Sequence, residues 1–327
     1  MNILITGSAG FIGFHLTKKI MQYCPKDIII GLDNLNNYYD VNLKKKRLKI
    51  VNKNKNYIFH KIDIRNKKKI FFILKKYKPK IIINLAAQAG VRYSILNPQA
   101  YIDSNVSGFL NILENAARLK IDKIIYASSS SVYGKNKKLP FSEIDKTDSP
   151  ISMYAVTKKT NELMASCYSE LYKMKLIGLR FFTAYGTFGR PDMALFKFVD
   201  LISKNKKIDL YNYGNMRRDF TYVDDLVYAI LKIVNKLKTD NRKKSYNEIL
   251  NIGNNSPSTL KQYINFIEKF LKKKAKKNKI KLQKGDVKST YADNNKLYKF
   301  IGYRPNTKIE KGIKNFVNWY EDYFFKK

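Results

Sequence analysis

The 327-residue sequence predicts an α/β fold, a doubly wound parallel sheet over residues 1–180 followed by a smaller mixed α/β domain over residues 181–327. Three observations predict it. Short apolar runs alternate with helical patterns through the first half, which is the rhythm of strand-helix-strand units. Ile28-Ile29-Ile30 and Ile81-Ile82-Ile83 are apolar on both faces, as strands between two helix layers require. Beyond residue 182 the rhythm loosens into turn clusters at 186–191, 253–258 and 285–289.

Taken in order, the expected elements are a strand at 2–6, a helix opening at Gly10, and strands at 28–32 and 57–62. A helix near 66–76, a strand at 81–85, a helix near 104–119 and a strand at 123–128 follow. A helix at 153–171 and a strand at 176–182 complete the regular part. The domain boundary is soft, because the helical pattern at 223–237 can return to pack on the first domain. The lysine-rich stretch 272–279 reads as a solvated helix end.

Charge is lopsided, with 64 Lys+Arg against 26 Asp+Glu and a formal net of +38. Only 10 of the basic residues are Arg, and the lysines are scattered, whereas a nucleic-acid reader concentrates Arg forks in a patch. The surplus therefore reads as solvated surface, with no specific nucleic-acid partner. Cys24, Cys167, His15 and His60 have no companions at ligand or disulfide spacing, so no metal site is expected and a reducing, cytoplasmic setting fits. The first residues run directly into a strand pattern, so no signal peptide is expected. No apolar stretch reaches the ~18 to 20 residues of a membrane span.

Gly7-Ser8-Ala9-Gly10-Phe11-Ile12-Gly13 lies between a strand and a helix, where glycines let backbone approach a pyrophosphate at the positive helix N-terminus. Its spacing is G-x-x-G-x-x-G, not the commoner G-x-G-x-x-G, and alone it could be a tight turn. Asp33 ends the second apolar strand 20 residues beyond Gly13, where a carboxylate accepts from adenosine ribose hydroxyls. Its alternative is a helix cap or turn. Strand, glycines and acid in register predict a Rossmann-type site for NAD, since a carboxylate repels the 2′-phosphate of NADP and no Arg stands beside it. Asn34 adjoins Asp33 in this site. Asp63, followed by Ile64, reads as an adenine contact or as a turn carboxylate. Leu85, Ala86 and Ala87 end the next strand with small residues, either for a cofactor to lie against or for close packing.

Tyr154 and Lys158 share one helix face at Y-x-x-x-K spacing. A phenol of pKa ~10 is a poor base at neutral pH, but a neighbouring ammonium and a positive nicotinamide favour the phenolate. Tyr154 can then take a proton from a hydroxyl as hydride leaves the same carbon. Such pairs are common on solvated helices, and Ser129-Ser130-Ser131 shifts the reading. These serines follow the carboxyl end of a parallel strand, where open α/β sheets bind ligands, and one hydroxyl can bridge substrate and Tyr154.

Residues 6–13, 84–87 and 128–134, with Tyr154, Lys158 and Arg218-Asp219-Phe220, resemble the extended short-chain dehydrogenase/reductases that act on nucleotide sugars. More narrowly, Asp33-Asn34-Leu35-Asn36-Asn37-Tyr38-Tyr39-Asp40, Ala87-Gln88-Ala89-Gly90-Val91-Arg92-Tyr93-Ser94 and the stretch 189–198 resemble UDP-glucuronate 4-epimerases. The resemblance covers nearly the whole chain. It implies NAD-dependent, reversible conversion of UDP-glucuronate to UDP-galacturonate through a 4-keto sugar. Tyr154 would be the base, Lys158 would hold the nicotinamide ribose, and Ser129 would relay the proton, with Ser130 as fallback. Related 4,6-dehydratases carry an Asp-Glu pair where this chain has Ser130 and Ser131, and related decarboxylases place a Glu there. Epimerisation needs neither.

The resemblance also assigns the substrate contacts. Arg218 would bind the diphosphate, Asp286 the uridine ribose, and Tyr211, Asn212 and Tyr213 the uracil. Gln283 stands where galactose epimerases have an Arg. Thr183 and Arg190 would meet the C6 carboxylate, with Arg92 as a second candidate, although Arg190 could instead order its own Gly/Pro-rich loop. Thr290 falls where galactose epimerases tune pocket size. A homodimer through the helices near 98–119 and 153–172 is implied. The alternatives are a 4-epimerase of another UDP-sugar, and a non-catalytic nucleotide-binding or RNA-associated protein.

Overall fold

The computed structural model describes residues 1–242 and 244–325. The first half runs β1 (Asn2–Thr6), α1 (Phe11–Tyr23), β2 (Ile28–Asp33), α2 (Val41–Val51), β3 (Tyr57–Lys61), α3 (Lys67–Tyr77) and β4 (Ile81–Asn84). Short helices α4 (Tyr93–Leu96) and α5 (Pro98–Tyr101) lead through a π-helical turn, Ile102–Ser107, into α6 (Gly108–Arg118). Then come β5 (Lys123–Ser129), α7 (Met153–Tyr172) and β6 (Lys175–Phe181). The expected elements appear within a few residues of their predicted bounds. Helix α2 was not expected. Its N-cap is Asp40, whose side chain accepts from the Asn42 amide, and it buries Leu43, Leu48 and Val51 beneath a lysine-rich exterior.

The second half holds β7 (Thr183–Tyr185), α8 (Ala194–Ser203), β8 (Lys207–Leu210), β9 (Arg217–Arg218), β10 (Phe220–Tyr222) and α9 (Val223–Thr239). It ends with β11 (Tyr246–Ile252), β12 (Ser258–Thr259), α10 (Leu260–Leu271), β13 (Lys276–Lys279), α11 (Asn295–Ile301) and α12 (Ile309–Phe324). The main sheet is seven-stranded and wholly parallel, in the order β11-β6-β5-β4-β1-β2-β3. Strand β11 and helix α9 thus return to the first half: α9 buries Leu226, Ile230 and Val234 in the same core as Phe14 and Leu16 of α1. A separate core joins α8, α10 and α12 through Phe196, Ile267 and Phe316, with the Phe220 and Tyr263 rings stacked at 4.2 Å.

One expectation fails. The 272–279 stretch is not a helix end: Lys272 closes α10 in a left-handed conformation, and Lys276–Lys279 pairs in parallel with β8. Its Lys and Asn side chains carry little strand preference, so backbone pairing to an open edge decides its form. Ile28 is also more exposed than a sandwiched strand implies, at 38%, whereas Ile81, Ile82 and Ile83 are fully buried. Among the described residues no helix is long and apolar enough to cross a membrane.

Because β1 lies between β4 and β2, the chain reverses direction of winding there, and the crevice beyond the carboxyl ends of these strands is where an open α/β sheet takes a ligand.

Candidate active site

A cavity of about 980 Å³ occupies that crevice and runs to the second half of the chain. Its first wall is the β1–α1 loop. Gly7 sits at φ +70°, and a Cβ there would lie 2.8 Å from the Ala86 amide nitrogen, while one at Gly13 would collide with the Gly7 carbonyl oxygen. Only glycine lets this turn close and keeps helix α1 hard against the strand ends, with its unpaired first-turn amides open to the cavity. Gly7, Gly10, Phe11, Ile12 and Gly13 all face it, as do Asp33, Asn34, Asp63, Ile64, Leu85, Ala86 and Ala87. The Thr6 hydroxyl ties the two strand ends by donating to Asn84 at 2.7 Å and accepting from the Ala86 amide at 3.1 Å.

Asp33 is 8% exposed and accepts from the amides of Ala9 (3.2 Å) and Leu35 (2.8 Å), so each oxygen keeps a lone pair. Burial pushes its carboxyl up. The sequence shows no Arg beside Asp33, yet Lys44 and Arg47 reach towards it from α2 and their charges partly offset that burial. The free lone pairs of this carboxylate fit the donating hydroxyls of an adenosine ribose. Asp63 accepts from Asn34 at 2.9 Å and from the Arg65 guanidinium at 2.8 and 3.0 Å, so it orders this end of the wall as well as lining it.

Tyr154, Lys158, Ser129 and Ser130 come together on the next wall, with Ser131 beside them. Ser129 ends β5. Its oxygen accepts the Ser131 amide at 3.1 Å, and its hydroxyl donates to the Ser131 Oγ at 3.1 Å. Ser128, one residue earlier, also lines the cavity and donates to Glu162 of α7 at 2.6 Å. Burial pushes the Tyr154 phenol up, against pulls from the Ser129 hydroxyl and the charge of Arg190. The expected help from Lys158 is weaker than its spacing suggests: its ammonium lies 6.0 Å from the Tyr154 ring centroid and donates to the Ala127 carbonyl at 2.7 Å.

Lys158 is itself lowered to about 8 by burial. The unfolded chain holds that proton to about pH 10.4, so between these values it binds more protons than the folded chain and stability rises with pH. Measured against Lys158→Met, which cannot titrate, the wild type is expected to gain up to about 3 kcal/mol between pH 8 and pH 10.5. Urea unfolding of both proteins at the two pH values checks this, and parallel pH profiles would refute it.

The far wall carries Arg92, Thr183, Arg190, Tyr211 and Asp286. Arg190 lies in a bidentate pair with Asp192, so its fork does order its own loop, and Tyr38 donates to the same carboxylate at 3.2 Å. The Arg92 guanidinium stacks 4.2 Å from the Tyr211 ring centroid and 3.8 Å from Asp286. Four of the residues singled out for the substrate do not reach the cavity wall. Arg218 is drawn behind it by a 2.8 Å bond to Asp286. Asn212 and Tyr213 take left-handed conformations in the Tyr211–Gly214 turn, which carries their side chains off the wall and leaves Tyr213 52% exposed. Thr290 is likewise buried behind the cavity, accepting the Asp219 amide at 3.2 Å. Sequence reasoning missed Tyr38, Lys44, Asp192, Lys197 and Lys284, which all line it. Among the described residues no cluster of three or more His, Cys, Asp or Glu is placed to hold a metal.

A family model described as GDP-mannose 4,6 dehydratase matches residues 4–316. The chain is 50% identical to the protein CapI of Staphylococcus aureus, over 100% of both chains. It is 42% identical to UDP-glucuronate 4-epimerase 4 of Arabidopsis thaliana, over 99% of this chain and 76% of that one. The crystal structure of UDP-glucuronic acid 4-epimerase from Bacillus cereus, in complex with UDP-glucuronic acid and NAD, superposes with a TM-score of 0.92 at 29% identity, covering 99% of this chain and 100% of that one.

Proposed function

Since the chain belongs to the GDP-mannose 4,6 dehydratase family, we propose that it is an NAD-dependent UDP-sugar 4-epimerase that interconverts UDP-glucuronate and UDP-galacturonate. One observation carries the reading: Tyr154, Lys158 and Ser129 meet on one cavity wall, with Ser130 and Ser131 beside them in place of the acid pair that dehydration requires. A hydroxyl cannot do the acid/base work of a carboxylate, so the chemistry stops at oxidation and reduction of one carbon. The Arabidopsis thaliana relative and the solved Bacillus cereus complex are named for this substrate.

Bound NAD would supply the hydride acceptor, the hydride donor and a positive nicotinamide charge. The chain supplies the rest. The glycine loop and the first turn of α1 hold the pyrophosphate, and Asp33 holds the adenosine ribose. Tyr154 takes the proton of the C4 hydroxyl, with Ser129 bridging to the sugar oxygen, and returns it once the 4-keto sugar has presented its other face. Thr183 and the free Nη1 edge of Arg190 meet the C6 carboxylate. Arg218 and Asp286 form the uridine diphosphate end, where ligand binding must loosen their mutual ion pair. The Arg190–Asp192 pair also favours a second reading, a 4-epimerase of a neutral UDP-hexose, because it satisfies the guanidinium without a substrate carboxylate. A homodimer is part of the proposal, supported by the exposed apolar side chains Leu163, Leu171 and Tyr172 on α7 and Leu110 on α6.

The test is incubation of the purified chain with UDP-glucuronate and no added cofactor, following the C4 configuration by proton NMR. UDP-galacturonate is expected to appear, from a species sedimenting at twice 38.2 kDa. If only UDP-glucose is epimerised, the second reading replaces the first. If neither sugar reacts after NAD is added, both readings fail.

A further inference from the structure

We propose that Arg47 is a positioning residue for Arg190, fixing from outside the cavity the backbone that presents Arg190 to the substrate. The inference rests on the reading that Arg190 meets a substrate carboxylate.

Arg47 projects from α2 and is fully buried, yet among the described residues no carboxylate forms an ion pair with it. All its hydrogen bonds go to neutral oxygens. Nη1 donates to the Ala9 carbonyl at 2.9 Å and to the Tyr39 hydroxyl at 2.7 Å. Nη2 donates to the Phe188 carbonyl at 2.6 Å and the Gly189 carbonyl at 3.4 Å, while Nε has no partner. A guanidinium held in the interior by neutral oxygens, with no carboxylate in hydrogen-bond reach, is costly, and an apolar side chain would fill the same space at less expense. What the charge does achieve is a bridge. Ala9 is the middle of the glycine loop, whose amide bonds Asp33, and Phe188 and Gly189 immediately precede Arg190.

Two further bonds from the same half of the chain fix the same segment. The His15 Nε2–H of α1 donates to the Thr187 carbonyl at 2.8 Å, and Tyr38 donates to Asp192 on the far side of Arg190. Three consecutive carbonyls, at 187, 188 and 189, are thereby held by side chains of the dinucleotide half. Phe188 itself is left-handed, at φ 52°, so this backbone is not one the local sequence would choose unaided. The Arg47 fork is rigid and planar, which suits it to hold two separated carbonyl groups in register, and a Lys head could not span them.

The experiment measures equilibrium binding of UDP-glucuronate and UDP-glucose to the full chain with NAD, in a Tyr154→Phe background that stops turnover. Wild-type Arg47 is expected to prefer the acidic sugar. Arg47→Met should weaken UDP-glucuronate by about tenfold and UDP-glucose by less than about twofold, since small displacements of a positioning group are costly only to the contact it positions. Arg190→Ala should do the same, and the double variant should lose no more than Arg190→Ala alone. A merely structural Arg47 would weaken both sugars together, or add its loss to that of Arg190→Ala, and either result overturns the proposal. If Arg47→Met does not fold, Tyr38→Phe removes only the hydroxyl that anchors Asp192; it should reduce the acidic preference, and an unchanged preference overturns the proposal. A chain with intact Arg47 and no preference for the acidic sugar overturns the functional reading, and this inference with it.

Discussion

Tyr154→Phe is expected to keep its fold and its NAD and to lose turnover by about 10³-fold, within the range of a positioned general acid–base. The change removes one oxygen. The ring stays edge-on to Tyr101 at a centroid distance of 6.0 Å, and α7 keeps its Ser152 cap, so nothing in the packing depends on the hydroxyl. The bonds that organise its surroundings also persist: Lys158 remains on the Ala127 carbonyl and Ser129 on the Ser131 amide. What disappears is the group proposed to accept the C4 proton, and none of the described residues beside it on that wall is suited to replace it. Lys158 has its ammonium committed to a carbonyl, and a serine hydroxyl is a far weaker base than a phenolate. Burial opposes that phenolate, so the pH dependence of turnover should respond to the charge on Arg190, which pulls the phenol down. The variant is checked by bound-NAD absorbance, thermal melting and the NMR assay together. Full turnover with NAD retained would remove Tyr154 from the mechanism, and loss of NAD would show that the hydroxyl serves binding instead.

The parts of this site legible in the sequence are those whose partners lie close in the chain or at the ends of regular strands. Gly7, Gly10 and Gly13 announce a turn because they fall between an apolar strand and a helix, and Tyr154 and Lys158 share a face because four residues make one helical turn. Asp33 is legible for the same reason, at the end of its own strand. Arg47 is not, because its meaning lies in Phe188, 141 positions away, and a lysine-rich helix gives no sign that one of its cations is buried. Asp192 was in plain view within a recognisable motif, but its pairing with Arg190 depends on loop conformation that residue order does not specify. The misplacement of Asn212 and Tyr213 has a related cause: two successive left-handed residues turn the chain off the wall, and neither is glycine. Strand β13 illustrates the opposite limit, where tertiary pairing overrides a composition with no strand preference at all.

The largest loss of stability is expected from Glu162→Ala. Glu162 lies on α7 two turns beyond Tyr154, and it receives the Arg180 guanidinium of β6 at 2.8 and 2.9 Å and the Ser128 hydroxyl of β5 at 2.6 Å. The side chains of Glu162 and Arg180 are 5% and 4% exposed. A pair so placed contributes little net stability over a well-packed apolar pair, but removing one partner strands the other charge without water, at a cost of about 3–5 kcal/mol. Arg180 has no second carboxylate to turn to among the described residues; its remaining neighbour is the Tyr133 ring, 4.9 Å from the guanidinium carbon, and Nη1 is already without a partner. Urea unfolding should show that loss, while the double change Glu162→Met with Arg180→Met should recover most of it by removing both charges. The double variant then separates stability from function. It restores the apolar contact between helix and sheet but not the bond that holds Ser128, and hence Ser129, in register with Tyr154. Turnover should therefore stay depressed in a protein whose unfolding midpoint has returned. A loss below about 1 kcal/mol in Glu162→Ala would mean that water reaches Arg180 and that the pair is not the anchor of α7 on the sheet.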